Sequence, residues 1–195
     1  MKSDFVVYRS SNLVKHSVML DELEGFDEIF ELVNGVPQNG KFPKNAHYSM
    51  DPDHPHNTVF TDSLHNLDGL IVASQRLREF FEARKSKCLE YLPVGIMDHK
   101  GKLAKRDYSI VHPIAPVDCL DDAKSHVKFS RIVKTKIRSV KKLVLNPSKL
   151  DLERDLFRLD RFFSVVLVRR DVAEAIDKEG FTGMRWVEPA DFPED

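Results

Sequence analysis

Residues 162–180 read FFSVVLVRRDVAEAIDKEG and give the clearest structural signal in the chain. The first seven residues, 162–168, are uncharged and largely β-branched or aromatic, which is typical of a buried strand. A helix signal follows, with Asp171 as N-cap, Glu174 three residues later as in a capping box, and Gly180 after the last turn. Its buried stripe consists of Val172, Ala175 and Ile176. The stretch predicts a strand followed by a short amphipathic helix.

Two further segments carry helical periodicity. The first is Phe26–Val33. It is followed by Gly35, a residue that favours the left-handed conformation after a helix. Its apolar positions at i, i+3, i+4 and i+7 are Phe26, Ile29, Phe30 and Val33. The second runs from Ser74, a natural N-cap, to Lys85. Its predicted buried face consists of Leu77, Phe80 and Phe81.

Most of the remaining pattern predicts strands. The candidates are Phe5–Tyr8, Val14–Leu20, Asp68–Val72, Tyr91–Met97, Tyr108–Ile114, His126–Phe129, Ile137–Leu145, Leu156–Leu159, Phe162–Val168 and Gly183–Val187. Because strands come in runs and do not alternate regularly with helices, we expect an α+β fold. It should contain a mostly antiparallel sheet and about three amphipathic helices.

The proline-containing segment 34–57 is predicted to be irregular, as a boundary or as a functional loop. We therefore expect residues 1–65 to form an N-terminal segment that packs on or extends the main body. Residues 66–195 are expected to form the main α+β domain.

Composition excludes several protein classes. The chain has 195 residues, 42 % hydrophobic side chains and two cysteines, and its 30 basic side chains balance 31 acidic ones. A disordered chain and a disulfide scaffold are excluded, and Cys88 and Cys119 are expected to be packed thiols. The N-terminal sequence has no secretory signal, and no apolar run approaches the ~20 residues needed to span a bilayer. We expect a cytoplasmic protein with no membrane partner.

The near-neutral total hides regional charge blocks. Residues 1–60 hold 5 basic and 9 acidic side chains, net −4. Residues 98–150 hold 13 and 5, net +8, and residues 151–195 hold 7 and 12, net −5. Separated blocks of this kind favour partners of opposite local charge.

Few residues carry catalytic or metal-binding patterns. His54 and His56, with Asp51, Asp53 and His47 nearby, could hold a divalent ion, although the same residues suit a solvated turn. A second acidic group could bind a cation, act as an acid–base pair or cap a turn, and consists of Asp118, Asp121 and Asp122. No nucleophile elbow, C-x-x-C pair or glycine-rich phosphate loop is present. The sequence therefore predicts no catalytic residue and no cofactor.

The basic block around residues 124–149 could neutralise phosphates. In a strand, however, Lys134, Lys136 and Arg138 would share one exposed face. Aromatic side chains do not alternate with the basic ones along the block to stack on bases, since Phe129 is the single phenylalanine, tyrosine or tryptophan in it. A solvated face or an acidic protein partner is favoured over nucleic acid.

Four stretches together resemble a known family. They are Ser74-Gln75-Arg76-Leu77-Arg78-Glu79-Phe80-Phe81-Glu82, Val117-Asp118-Cys119-Leu120-Asp121, Leu156-Phe157-Arg158-Leu159 and Phe181-Thr182-Gly183-Met184-Arg185-Trp186. Their order and spacing resemble the immunity-protein-eleven family of bacterial polymorphic toxin systems, over roughly residues 68–190. The resemblance implies a protein that binds and neutralises a toxin encoded by a neighbouring gene. It brings no active-site residues.

The motif residues of this resemblance also have a structural interpretation. They are Ser74, Arg76, Leu77, Phe80, Phe81, Asp118, Asp121, Arg158 and Gly183. We expect Leu77, Phe80 and Phe81 to be core residues and Gly183 to allow a tight turn or a close backbone approach. Arg76 and Arg158 are expected to form ion pairs with Asp118 or Asp121.

Three functions follow as hypotheses. The first is a non-enzymatic immunity protein that occludes the active or target-binding surface of a toxin. Its acidic residues Glu24, Asp27, Glu28 and Glu31 would cover a basic cleft. The second is a small metal-assisted hydrolase that uses His54, His56 and the nearby aspartates. The third is a nucleic-acid binder acting through residues 124–142. The oligomeric state is not predicted.

Overall fold

The structure is a computed structural model that describes residues 3–193. Within this range the strands are β1 Phe5–Ser10, β2 Met19–Glu24, β3 His47–Met50, β4 Ser63–Asn66, β5 Ile71–Ser74, β6 Leu89–Met97, β7 Leu103–Pro113, β8 His126–Phe129, β9 Ile137–Lys142, β10 Leu156–Arg158, β11 Val166–Arg169 and β12 Met184–Val187. The α-helices are α1 Ile29–Val33, α2 Gln75–Ala83 and α3 Arg170–Lys178. The predicted α+β class with three helices is confirmed.

Six strands close into a barrel in the order β2–β3–β6–β7–β5–β4. The pairs β2/β4 and β3/β6 are parallel, and the other pairs between barrel strands are antiparallel. Alternation along β6 turns Leu92, Val94 and Ile96 into the barrel. They meet Val18, Leu20, Tyr48, Leu64, Val72 and Ile110 in a closely filled interior. The barrel core is therefore made of side chains from strands far apart in sequence.

A separate four-stranded antiparallel sheet has the order β10–β11–β1–β12. Its strand β11 and the residue before it explain the apolar run quoted first. Val166 and Val168 face a core shared with α2, α3 and the outer wall of the barrel. Val165 and Leu167 face a second core, which the hairpin β8–β9 covers on the opposite side of the sheet. Residues 165–168 are continuously apolar because both faces of the strand are buried. The strand predicted over Phe162–Val168 begins only at Val166, because a turn precedes it in which the Val165 backbone nitrogen donates to the Phe162 carbonyl oxygen at 3.1 Å.

The helices follow the sequence pattern only in part. The Ser74 hydroxyl accepts a hydrogen bond from the Leu77 backbone nitrogen at 3.2 Å, which confirms the predicted cap of α2. The predicted Asp171 cap is wrong. Helix α3 begins at Arg170, and the Asp171 carboxylate instead accepts from Arg169 Nε at 2.6 Å. None of the helices in residues 3–193 is long and apolar enough to cross a membrane.

Several predictions of extended or irregular structure differ from the structure. Strand β2 begins at Met19 rather than Val14, because His16 has a positive φ of 58° that interrupts an extended chain. The segment 34–57 contains β3, although we expected it to be irregular. Residues 133–136 form a turn between β8 and β9. The prediction that Lys134, Lys136 and Arg138 share one face of a strand is therefore wrong, because β9 begins only at Ile137.

Candidate protein-binding surface

The segment from the end of β2 through α1 presents an exposed surface that is acidic and contains one aromatic ring. Residues 16–40 contain six acidic side chains and no lysine or arginine. Within them, Glu24, Asp27, Glu28 and Phe30 are all exposed, and we call these four residues the acidic surface. Phe30 is 75 % exposed, the largest exposed aromatic fraction found in residues 3–193. A large apolar side chain surrounded by charge is a common feature of binding sites.

The exposure of Phe30 follows from how α1 is anchored. Leu32 is fully buried, and Phe26, Ile29 and Val33 pack against the barrel core. Successive helical residues differ in direction by about 100°, so Phe30 points away from the face that Ile29 and Val33 bury. The apolar spacing predicted that Phe30 shares one face with Phe26, Ile29 and Val33, and this prediction is wrong.

The four acidic residues predicted to bind a partner have different environments. Glu24 accepts a hydrogen bond from the Ser49 hydroxyl at 2.6 Å, and its other carboxylate oxygen lies 3.6 Å from His47 Nε2. Asp27 and Glu28 are exposed. Glu31 is half-buried and accepts from Gln38 Nε2 at 3.1 Å, so it supports the turn after α1.

A cavity of about 400 Å³ adjoins this region. His47, which contacts Glu24, lines it together with Met97, Leu103 and Arg106. The surface thus combines exposed carboxylates with a depression able to receive a side chain. A second cavity of about 570 Å³ lies farther along β6 and is lined in part by Phe42, Leu89 and Tyr91.

The histidine loop bonds mainly to itself. His54 Nδ1 lies 2.8 Å from Asp51 Oδ2, and the Asp53 backbone nitrogen donates to Asp51 Oδ1 at 2.9 Å. These two contacts, the Asp53 amide first, lower the pKa of Asp51. Across residues 3–193, no group of three or more histidine, cysteine, aspartate and glutamate side chains could hold a metal ion.

The acidic group after β7 is held by an arginine that sequence reasoning missed. Arg161 forms ion pairs with Asp118 at 2.7 Å and with Asp122 at 3.0 Å. Asp121 accepts from Lys124, which is the main cause of its lowered pKa. Each of the three aspartates is therefore ion-paired with a basic side chain.

The ion pairs expected of Arg76 and Arg158 are wrong. Arg76 lies 3.7 Å from Asp62, and its guanidinium stacks over the Phe181 ring at 4.0 Å from the centroid. Arg158 is 1 % exposed and donates to the Phe163 carbonyl oxygen at 2.8 Å. No sequence pattern indicated that Arg76 contacts Asp62 and Phe181, or that Arg158 donates to the Phe163 carbonyl oxygen.

The motifs around Ser74 and Gly183 meet at Asp62, which no sequence pattern indicated. The Ser74 hydroxyl donates to Asp62 Oδ1 at 2.9 Å, and the Thr182 backbone nitrogen donates to Asp62 Oδ2 at 2.9 Å. Gly183 has a φ of +89°, and a Cβ at this position would overlap the Ser63 carbonyl oxygen. The close backbone approach predicted at Gly183 is thus present. These motif residues join α2 and the segment before β12 to the start of β4.

The two cysteines form no disulfide with each other. Cys88 and Cys119 are both free. Burial raises the pKa of the Cys119 thiol to about 12, so this thiol stays protonated at neutral pH.

Comparison with known proteins gives the identity of the family. A family model described as Immunity protein family (Imm11) matches residues 11–191. The match extends well beyond the 68–190 region of the sequence resemblance, and it includes the acidic surface. No curated protein matches the chain significantly. Because the family model covers most of its 195 residues, the chain belongs to the Immunity protein family (Imm11).

Proposed function

We propose that this protein binds a toxin of a bacterial polymorphic toxin system and neutralises it without catalysis. The toxin would be encoded by a neighbouring gene, and binding would take place in the cytoplasm. Family membership supports the immunity role. The observation that carries the binding hypothesis is that Phe30 is exposed and lies within six residues of the exposed Glu24, Asp27 and Glu28.

The two components of this surface have different physical roles. Burial of a phenylalanine side chain contributes about 1.5–3 kcal/mol, so Phe30 would act as the apolar anchor. The carboxylates would speed encounter with a positively charged partner and reject acidic ones. The 400 Å³ cavity next to His47 would accept a side chain from the same partner.

The inhibitory mechanism that fits this chemistry is occlusion. An acidic surface complements a basic cleft, such as the active site of an enzyme that acts on a polyanion. Bound there, the carboxylates would occupy the positions of substrate phosphates, and Phe30 would exclude water at the centre of the contact.

The test is co-expression with the product of each adjacent gene, scored by growth and by co-purification. Glu24→Lys, Asp27→Lys and Glu28→Lys combined should abolish protection and raise Kd at least about 100-fold, since close charge pairs at interfaces carry several kcal/mol. Phe30→Ala should raise Kd about 10–100-fold through loss of the anchor. Glu31 stays unchanged in these variants because it supports the fold through Gln38.

The matched control reverses three exposed acidic residues elsewhere. Asp53→Lys, Glu174→Lys and Glu179→Lys combined change net charge by the same amount and should leave protection intact. Equal loss of protection in both triple variants would assign the effect to total charge. Failure of every adjacent gene product to co-purify or to be neutralised would contradict the immunity hypothesis itself.

A further inference from the structure

The hairpin β8–β9 carries a second exposed apolar group, this time surrounded by positive charge. Residues 123–142 contain eight lysine and arginine side chains and no acidic one. At the tip of the hairpin, Ile132 is 94 % exposed, and Phe129 and Val133 are each about half exposed. We call residues 124–142 the basic hairpin.

The tip is held in place although its apolar side chains face outward. The Ser130 hydroxyl accepts hydrogen bonds from the backbone nitrogens of Ile132 and Val133, both at 3.2 Å. The Ser130 backbone nitrogen donates to the Lys136 carbonyl oxygen at 2.8 Å. Lys136 Nζ also lies over the Phe163 ring, 3.5 Å from its centroid. An ordered turn that presents aliphatic side chains to solvent is typical of an interaction surface.

The base of the hairpin is part of the core, which separates it from the acidic surface. Ile137 and Val140 pack with Leu167 on one face of the four-stranded sheet. The acidic surface lies between the end of β2 and α1, whose Leu32 packs in the barrel interior on the other side of that sheet. Between residues 21–31 and residues 124–142, both fully described, no hydrogen bond or ion pair forms.

The two surfaces complement each other chemically. One has Phe30 beside carboxylates, and the other has Ile132 beside Lys128, Arg131 and Lys134. We propose that the basic hairpin of one copy of this protein binds the acidic surface of a second copy. The apolar tip and Phe30 would pack together, and the opposite charges would surround them.

Such a contact is heterologous, because it joins two different surfaces. The pair keeps one free acidic surface, on one copy, and one free hairpin, on the other, so association continues beyond a dimer unless the geometry closes a ring. A toxin bound at the acidic surface would compete with self-association. The inference does not depend on the toxin, since both surfaces belong to this chain.

The side chains at the tip of the basic hairpin favour a protein over a nucleic acid as its binding partner. Ile132 and Val133 offer no π-face for stacking on bases, and Phe129 is the single aromatic residue in the hairpin. Anionic vesicles and RNA provide the alternative probes because both attract lysine and arginine.

The experiment uses two variants of the full chain in sedimentation velocity. The hairpin variant combines Lys128→Glu, Arg131→Glu and Lys134→Glu, and the surface variant combines Glu24→Lys, Asp27→Lys and Glu28→Lys. Wild type should associate with rising concentration at about 0.05 M salt and less at about 0.5 M, because exposed charges are screened. Each variant alone should be monomeric. An equimolar mixture should form a 1:1 dimer, since it retains one intact acidic surface and one intact hairpin.

Two further variants separate charge from apolar contact. Ile132→Ser should weaken wild-type association at least about 10-fold without a change of charge, as expected of a central apolar contact. The control Lys15→Glu, Lys41→Glu and Lys102→Glu, which changes three exposed lysines elsewhere, should associate like wild type.

Three results would overturn the proposal. Wild type could remain monomeric at all concentrations, the mixed variants could fail to pair, or the hairpin could bind phosphatidylglycerol vesicles or RNA without self-association. The proposed immunity function is tested separately, because the hairpin variant should still protect against the toxin. Loss of self-association with retained protection in that variant would support both proposals.

Discussion

The Asp62 carboxylate holds Thr182 through two hydrogen bonds to Oδ2, one from the Thr182 backbone nitrogen at 2.9 Å and one from its hydroxyl at 3.1 Å. The same carboxylate accepts from Ser74 at the start of α2 and lies near Arg76. Asp62 therefore links the entry to the barrel strand β4, the cap of α2 and the segment before β12. This junction explains why motifs far apart in sequence occur together.

Removal of the Asp62 carboxylate should destabilise the junction. Asp62→Ala leaves three donors without an acceptor, and we expect a loss of about 2–3 kcal/mol in the free energy of unfolding. Asp62→Asn keeps the shape and one acceptor oxygen, so it should lose less. Urea denaturation of both variants gives the comparison. Glu174→Ala, on an exposed position of α3, is the control and should change stability by less than about 0.5 kcal/mol.

Gly183 should be the least replaceable glycine in this region. Gly183→Ala combines a positive φ with overlap against the Ser63 carbonyl oxygen and Thr61 Oγ1. Gly40 has a similar φ of +77°, but the Cβ of an alanine there would have open space around it. Gly40→Ala therefore measures conformational strain alone, about 1–2 kcal/mol. Gly183→Ala should lose at least about 2 kcal/mol more or fail to fold. Equal losses in urea denaturation would show that the close approach has no energetic importance.

Local signals in the sequence predicted the elements that depend on local chemistry. The apolar run before Arg169 predicted a strand, and its last residues lie in β11. Ser74 was predicted as the N-cap of α2 and does cap it. Strand β3 was missed because it pairs in the barrel with strands distant in sequence. Its four residues are too few to show periodicity against the prolines nearby.

The candidate site was predicted less completely than the fold. Negative charge selected Glu24, Asp27, Glu28 and Glu31 alike, and charge alone could not show that Glu31 supports a turn. The exposure of Phe30 was not predictable, because in a helix of five residues its apolar spacing matched a buried face. Which face a short helix buries is decided by the tertiary contacts of its neighbours.

Arg158 is buried without a carboxylate partner among residues 3–193, and burial lowers its pKa to about 10. A methionine of similar length keeps most of the packing and removes an uncompensated charge. Arg158→Met should therefore stay within about 1 kcal/mol of wild type in chemical denaturation. Arg158→Ala should lose about 2–5 kcal/mol because it also leaves a cavity. If Arg158→Met were as unstable as Arg158→Ala, the guanidinium group itself would be required for stability. That result would contradict the view that Arg158 stabilises the fold mainly by packing.

His112 should make stability depend on pH. Its ring is fully buried, and Nε2 donates to the Val36 carbonyl oxygen at 2.9 Å. Burial is the main cause that lowers the pKa of His112 below its ordinary value of 6.5. Below pH 6.5 the His112 imidazole therefore binds a proton more readily in the unfolded chain than in the folded one. The free energy of unfolding is thus unaffected by His112 titration above pH 6.5 and decreases as the pH falls below it.

The variant His112→Gln isolates this contribution, since glutamine can donate to the Val36 carbonyl oxygen but does not titrate. Urea denaturation from pH 7.5 to pH 5 should show wild type losing stability more steeply than His112→Gln. The control His99→Gln changes a histidine that is not buried and should retain the wild-type slope. Parallel pH profiles for wild type and His112→Gln would show that the buried imidazole contributes nothing to acid sensitivity.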